Sequence, residues 1–207
     1  MRHPFFLAVL SLFAALIVSC GIQLAGNGSE ITNGNCVADA APADSAMVIA
    51  YPQNYVPYPT IAGPETTFTE KNGHFSIYLG HKAWNLVIYD SAQTHGAFVP
   101  LPNGDSAIDT IVLKGLGAIA GIVNDTIGDP RYVGIVGSPF CAGIIGTSDT
   151  FTLTKIPTFS YLIKVWRVSS QAVGRGSEIP VNDFTTNINP PLVAVEPDST
   201  TRVIIGP

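Results

Sequence analysis

"NGHFSIYLGHKAWNLVIYD" (residues 72–90) and "DTFTLTKIPTFSYLIKVWR" (residues 149–167) decide the fold of this chain. In the first, Phe75, Ile77 and Leu79 alternate with Ser76 and Tyr78. After the turn Gly80-His81-Lys82-Ala83, Trp84, Leu86 and Ile88 form a second alternating set. Side chains two apart on an extended strand share a face, so each set buries one face and turns the other to water. The second stretch repeats the pattern with Phe151 and Leu153, a turn containing Pro157, then Tyr161, Ile163 and Val165. Phe75 matches Phe151, Ile77 matches Leu153, and Trp84 matches Tyr161 with one residue inserted in the second copy. Each stretch predicts a strand–turn–strand hairpin.

Flanking segments match in the same order. "GNCVAD" (34–39) corresponds to "GAIAGIVND" (117–125), and "AMVIAYPQNYVPY" (46–58) to "RYVGIVGSPFCAG" (131–143). "GDSAIDTIVL" (104–113) corresponds to "DSTTRVIIG" (198–206), each a closing strand after an acidic turn. Four matched segments in one order indicate tandem repeats over residues 27–114 and 115–207. No stretch past residue 26 sustains a helical period, and 20 Gly and 16 Pro spread along the chain suit many short strands. The expected fold class is therefore all-β, with two tandem Greek-key β-sandwich modules. A module of this size buries somewhat over ~60% of its extended-chain surface, enough to fold by itself. The two modules are expected to pack end to end through a joint at Lys114-Gly115.

The second copy reads Gly117-x-Ile119-x-Gly121-x-Val123-x-Asp125, then Val133-x-Ile135-x-Gly137-Ser138-Pro139-Phe140. Thr147, Phe151-x-Leu153-x-x-Ile156-Pro157 and Tyr161-x-Ile163-x-Val165 follow. These motifs resemble the carboxypeptidase-regulatory-like module, a Greek-key β-sandwich related to the transthyretin fold. The first copy keeps Thr69, Asn72-Gly73 and Phe75-x-Ile77 but has Gly80-His81-Lys82-Ala83 in place of the family's LPxG turn. The second has Phe159 where the family pattern has its glycine. The resemblance implies a non-catalytic module, because in the carboxypeptidases catalysis belongs to a separate zinc domain whose HxxE motif is not found here.

"MRHPFFLAVLSLFAALIVSC" opens with Arg2 and continues as an apolar run from Phe5 to Val18. That run is too short to span a hydrocarbon core, which takes roughly 20 residues, and reads as a signal peptide over residues 1–19. Ile17-Val18-Ser19-Cys20 resembles the bacterial lipobox, which implies that Cys20 becomes the acylated first residue of a mature lipoprotein. Residues 20–26 then form a small, polar tether. Gly21 after the cysteine implies a lipid-anchored position in the bacterial cell envelope at the outer membrane, on its periplasmic or surface face. Acyl chains such as palmitate on Cys20 would hold the protein to the bilayer far longer than one reversible chain.

The formal charge is −5, and no Lys/Arg cluster occurs, so the electrostatic footprint of a nucleic-acid binder is missing. His74, His81 and Asp90, with His95 as a further ligand, could serve a metal-dependent hydrolase. A zinc site needs three or four ligands, however, and no HExxH or CxxC pair occurs. The second copy has no histidine at the matching positions, which favours solvent-facing and turn histidines. Serine catalysis lacks a GxSxG elbow. Asp105, Asp109, Asp125 and Asp129 fall in strand-end turns, where Asx-turns account for them more simply than calcium does. Cys36 and Cys141 lie at non-equivalent places in different repeats, which disfavours a bridge, and Cys36 reads as a small buried hydrophobe. In "AYPQNYVPYP" (50–59), Tyr51, Gln53, Asn54, Tyr55 and Tyr58 form the candidate ligand-contact loop, with rings to stack on sugars and amides to read hydroxyls. Packing of these tyrosines over the sandwich edge is the competing reading. The expected function is a non-catalytic, lipid-anchored envelope protein, a binding or spacer element for glycan, peptide or another envelope protein. No cofactor is expected.

Overall fold

The computed structural model describes residues 31–57, 63–80, 82–102, 107–124, 131–144, 149–167 and 191–206. The signal peptide, Cys20, Tyr58, His81, Asp105, Asp125 and Asp129 lie outside the described residues. Among the described residues every regular element is a strand, and no helix is long and apolar enough to cross a membrane. The first eight strands are β1 (Ile31–Ala38), β2 (Ala41–Pro42), β3 (Met47–Pro52), β4 (Glu65–Phe68), β5 (His74–Tyr78), β6 (Trp84–Tyr89), β7 (His95–Leu101) and β8 (Ile111–Gly115). Seven more follow: β9 (Gly117–Val123), β10 (Arg131–Ile135), β11 (Cys141–Ile144), β12 (Thr150–Ile156), β13 (Phe159–Arg167), β14 (Leu192–Val195) and β15 (Thr200–Ile205).

The repeat in the sequence is a repeat in hydrogen bonding. In the second half β12-β9-β15 form one sheet, with β12 antiparallel and β15 parallel to β9, and β11-β10-β13-β14 form the other. In the first half β5 and β8 flank β1 with the same orientations, and β4-β3-β6-β7 repeat the second sheet. The first half adds β2 at the edge and joins its two sheets where β7 meets β8, at His95–Gly115 and Gly96–Lys114. The molecule is thus all-β and sandwich-like.

Alternation fills both cores as the sequence predicts. Phe75, Ile77, Leu79, Trp84, Leu86 and Ile88 gather with Cys36, Val48 and Ile111 in the first core. Phe151, Leu153, Tyr161, Ile163 and Val165 gather with Ile119, Val133 and Ile205 in the second. The same close approach recurs in each. Gly34 pairs with Phe75 and Gly121 with Phe151. A Cβ at Gly34 would sit 2.7 Å from ring atoms of Phe75, and one at Gly121 would sit 2.6 Å from the ring of Phe151. Each aromatic ring therefore lies flat over a glycine, and covers backbone that a side chain would otherwise cover.

Two sequence expectations are corrected. Residues 72–90 and 149–167 are not hairpins. β5 pairs with β1 while β6 pairs with β3 and β7, and β12 pairs with β9 while β13 pairs with β10 and β14. The chain crosses from one sheet to the other, so the two alternating sets meet across the core instead of side by side. In the first copy Trp84 Nε1 donates to the Leu79 carbonyl at 2.8 Å and holds this corner.

The two halves also do not pack end to end. β6 reads Trp84-Asn85-Leu86-Val87-Ile88-Tyr89 and is buried on both faces. Leu86 and Ile88 belong to the first core, whereas Val87, fully buried, belongs to the second. Tyr51 joins Val87 there, with Ile49, Tyr55, Tyr89 and Phe98 packed alongside. The outward face of β3-β6-β7 thus packs into the core of the second sandwich. A strand buried on both faces reads as a continuous apolar run, and "WNLVIY" is nearly one.

Candidate functional site

The tyrosine loop is committed to this seam. Tyr51, next to last in β3, is 6% exposed, inside the second core, and its ring centroid lies 4.9 Å from that of Tyr55. Burial pushes the Tyr51 phenol up to about 12. The Tyr55 carbonyl accepts from Gly137 N–H at 2.8 Å, and the buried Asn85 side chain donates to the Gly137 carbonyl at 2.9 Å. Gly137 makes this possible with a φ of +77°, and a Cβ there would lie 2.2 Å from Asn85 Nδ2. Asn54 is exposed and Gln53 half-buried, with the Gln53 carbonyl against Gly137. The loop's polar groups thus remain partly accessible, but its two described rings serve the joint. Further along, Phe98 packs against Phe159 and Tyr161 at 5.1 Å each, and Tyr89 Oη donates to the Lys155 carbonyl at 3.0 Å.

Asp90 and His95 lie together at the β6–β7 turn. His95 Nδ1 is 3.2 Å from Asp90 Oδ2, and the same carboxylate accepts from Thr94 Oγ1 at 2.8 Å and from the Thr94 and His95 backbone N–H groups. Partial burial raises the Asp90 pKa, but these hydrogen bonds outweigh it and hold the carboxyl below its usual range. His95 Nε2 faces Asp39 at 4.0 Å. Asp90 is therefore the acceptor that closes its own turn, its carboxylate bonded to Thr94 and His95. No group of three His, Cys, Asp or Glu suited to a metal occurs among the described residues. Asp109 is exposed ahead of β8. Both Cys36 and Cys141 are free thiols. Cys36 is fully buried in the first core, where desolvation pushes its thiol up to about 12, and burial pushes Cys141 up to about 11.

His74 belongs to a different arrangement. It opens β5 opposite Asn35 of β1, followed by Ser76 opposite Asn33 and Tyr78 opposite Ile31. Ser76 Oγ donates to Asn33 Oδ1 at 2.6 Å and lies 3.4 Å from His74 Nε2. Tyr78 is 64% exposed, and Asn35 and Ser76 are exposed as well. These residues form a row of hydroxyl, amide and imidazole groups on the outer face of the β5-β1-β8 sheet. Within either strand alone alternation does not single out Asn33, Asn35, Ser76 and Tyr78, because the row forms only when β1 and β5 pair. The available signal was Asn-Gly-Asn inside a strand.

No family model matches the chain, and no curated protein matches it. Solved structures that it is similar to include the Bacillus anthracis TIE protein, at 10% identity and a TM-score of 0.30, covering 85% of this chain and 34% of that one. A DUF3823 family protein from Bacteroides ovatus shares 12% identity at a TM-score of 0.29, covering 68% of this chain and 91% of that chain. A leucine-rich repeat protein from Bacteroides thetaiotaomicron shares 8% identity at a TM-score of 0.31, over 86% of this chain and 26% of its own length. The chain spans about a third of the TIE protein and about a quarter of the leucine-rich repeat protein.

Proposed function

We propose that the chain is a lipid-anchored protein of the bacterial cell envelope, held to the bilayer by acylated Cys20. Its two sandwiches act without catalysis as a binding or spacer element for glycan, peptide or another envelope protein. The observation that carries this reading is the seam. Val87, Tyr51, Asn85 and the Phe98–Phe159–Tyr161 aromatic cluster weld two sandwiches into one stiff body. Such a body transmits position from an anchor to a distant face, as a spacer or a presenting scaffold must. The repeated strand order and the Gly34–Phe75 and Gly121–Phe151 pairs support assigning both halves to the carboxypeptidase-regulatory-like class. The metal-hydrolase alternative has less support, because the Asp90 carboxylate is taken up by Thr94 and His95. The lipobox motif supports the anchor and an outer-membrane address.

Membrane fractionation tests the reading. The wild-type protein is expected in the membrane fraction and Cys20→Ser in the soluble fraction. Equal membrane retention of Cys20→Ser would overturn the anchoring claim.

A further inference from the structure

The second sandwich is an internal comparison for the face formed by β5 and β1. Set the two copies in register on Gly34–Phe75 and Gly121–Phe151. At the core-facing positions Gly34, Phe75 and Ile77 match Gly121, Phe151 and Leu153, whereas buried Thr32 stands where the second copy has Ile119. At the outward positions Asn33, Asn35, His74, Ser76 and Tyr78 stand where the second copy has Ala120, Ile122, Thr150, Thr152 and Thr154, and of these only Ser76 has a counterpart of its own kind. The sheet therefore forms readily with small, β-branched and hydroxylated residues at these places.

The first copy departs from that in a direction that costs local stability. Asn is depleted in strands, and Asn-Gly is a strong turn signal. Yet Asn33-Gly34-Asn35 lies inside β1, hydrogen-bonded to β5 on one side and linked through the Asn33–Ala107 bridge and β8 on the other. Gly34 is explained by the Phe75 ring that lies over it. Core packing makes no such demand for the two amides, which face away from Phe75. Departures of this kind from local propensity mark functional positions.

We infer that the outer face made by His74, Ser76 and Tyr78 of β5 with Asn33 and Asn35 of β1 binds a neutral oligosaccharide. The inference rests on the binding reading above and assigns it a site. Ser76 Oγ occupies Asn33 Oδ1, which fixes that amide and leaves its Nδ2 hydrogens for a ligand oxygen. Asn35 adds a donor and an acceptor on the same strand. Hydroxyl groups, which both donate and accept, match such a row. Asn33, Asn35 and Ser76 carry no charge and offer both donors and acceptors, which suits a neutral, hydroxyl-rich ligand. Tyr78 supplies the aromatic surface on which the apolar face of a sugar ring can lie. From His74 to Tyr78 the row runs ~13 Å, at about 3.3 Å per residue, so the platform suits a short run of sugar units.

The test uses the full chain carrying Cys20→Ser in native affinity gels containing soluble neutral polysaccharides: an α-glucan, a β-glucan, a mannan, a xylan and a galactan. Retardation by at least one of them is expected, weakened about tenfold or more in Tyr78→Ala and in Asn35→Ala. Thr152→Ala and Tyr55→Ala should bind as the parent does, and circular dichroism should show every variant folded. Retardation that survives both Tyr78→Ala and Asn35→Ala overturns this face while leaving the binding reading in place. Absence of retardation by all five polysaccharides overturns the inference itself. The anchoring reading stands or falls separately, on the fractionation of Cys20→Ser.

Discussion

Val87→Ala separates a welded pair of sandwiches from two that merely follow one another. Val87 lies between Leu86 and Ile88 on β6, and those neighbours fill the first core. In an isolated two-sheet sandwich, position 87 would face solvent, and trimming it would change little. Here Val87 is fully buried and packs in the second core. The substitution removes two carbons, worth about 0.8 kcal/mol each by transfer, hence ~1.6 kcal/mol. Any cavity that does not collapse adds to this, bringing the total to roughly 2–3 kcal/mol. Equilibrium denaturation followed by far-ultraviolet circular dichroism measures the loss. Val48→Ala, in the first core and equally buried, should cost a comparable amount. Val112→Ala, 54% exposed on β8, should stay within about 0.5 kcal/mol of the parent. A Val87→Ala cost as small as that of Val112→Ala would refute the seam.

Three further outcomes follow from named contacts. Asn85→Ala strands the buried Gly137 carbonyl and should lower stability by about 1–3 kcal/mol in the same denaturation assay. The Asp90 carboxyl is held below its usual range, so its hydrogen bonds stabilise the fold above the unfolded pKa. The stability difference between the parent and Asp90→Asn should therefore be full near neutral pH and disappear as pH falls through the native Asp90 pKa; a constant difference across that range would contradict it. With Cys20 replaced by serine, a thiol reagent at pH 8 should react slowly with Cys36 and Cys141 in the folded protein and rapidly with both after denaturation, since burial raises both pKa values.

Most of the fold was legible because a strand with one buried face announces itself by alternation. Phe75, Ile77, Trp84, Leu86 and Ile88 match Phe151, Leu153, Tyr161, Ile163 and Val165, and both sets occupy the cores that the pattern assigns them. Alternation says which face is buried but not which strand lies alongside, so the crossing from β5 to β6 resembled a hairpin. β5 pairs with β1 and β6 with β3 and β7, so Phe75 and Trp84 reach the same core from different sheets. The seam was hidden for a related reason. Val87 and Tyr89 occupy the outward set of β6, and their apolar character was visible, but what covers them is a contact with residues far along the chain. Tyr51 and Tyr55 were visible as an unusual loop, while the geometry of Gly137 that draws them inward was not. The Asn33–Ser76–His74 row escaped notice because cross-strand neighbours on a solvent face leave no pattern within either strand alone.

The central claim is that the two repeats are one body, and the two tryptophans test it most directly. Trp84 is buried in the first sandwich and Trp166 in the second, and the chain has no others. In Trp166→Phe the fluorescence reports the first sandwich, and in Trp84→Phe it reports the second. Within each variant the fluorescence transition should coincide with the circular-dichroism transition of the whole chain, because loss of either half exposes the seam of the other. A fluorescence transition displaced from the circular-dichroism transition in both variants, with one sandwich unfolding while the other persists, would contradict the account.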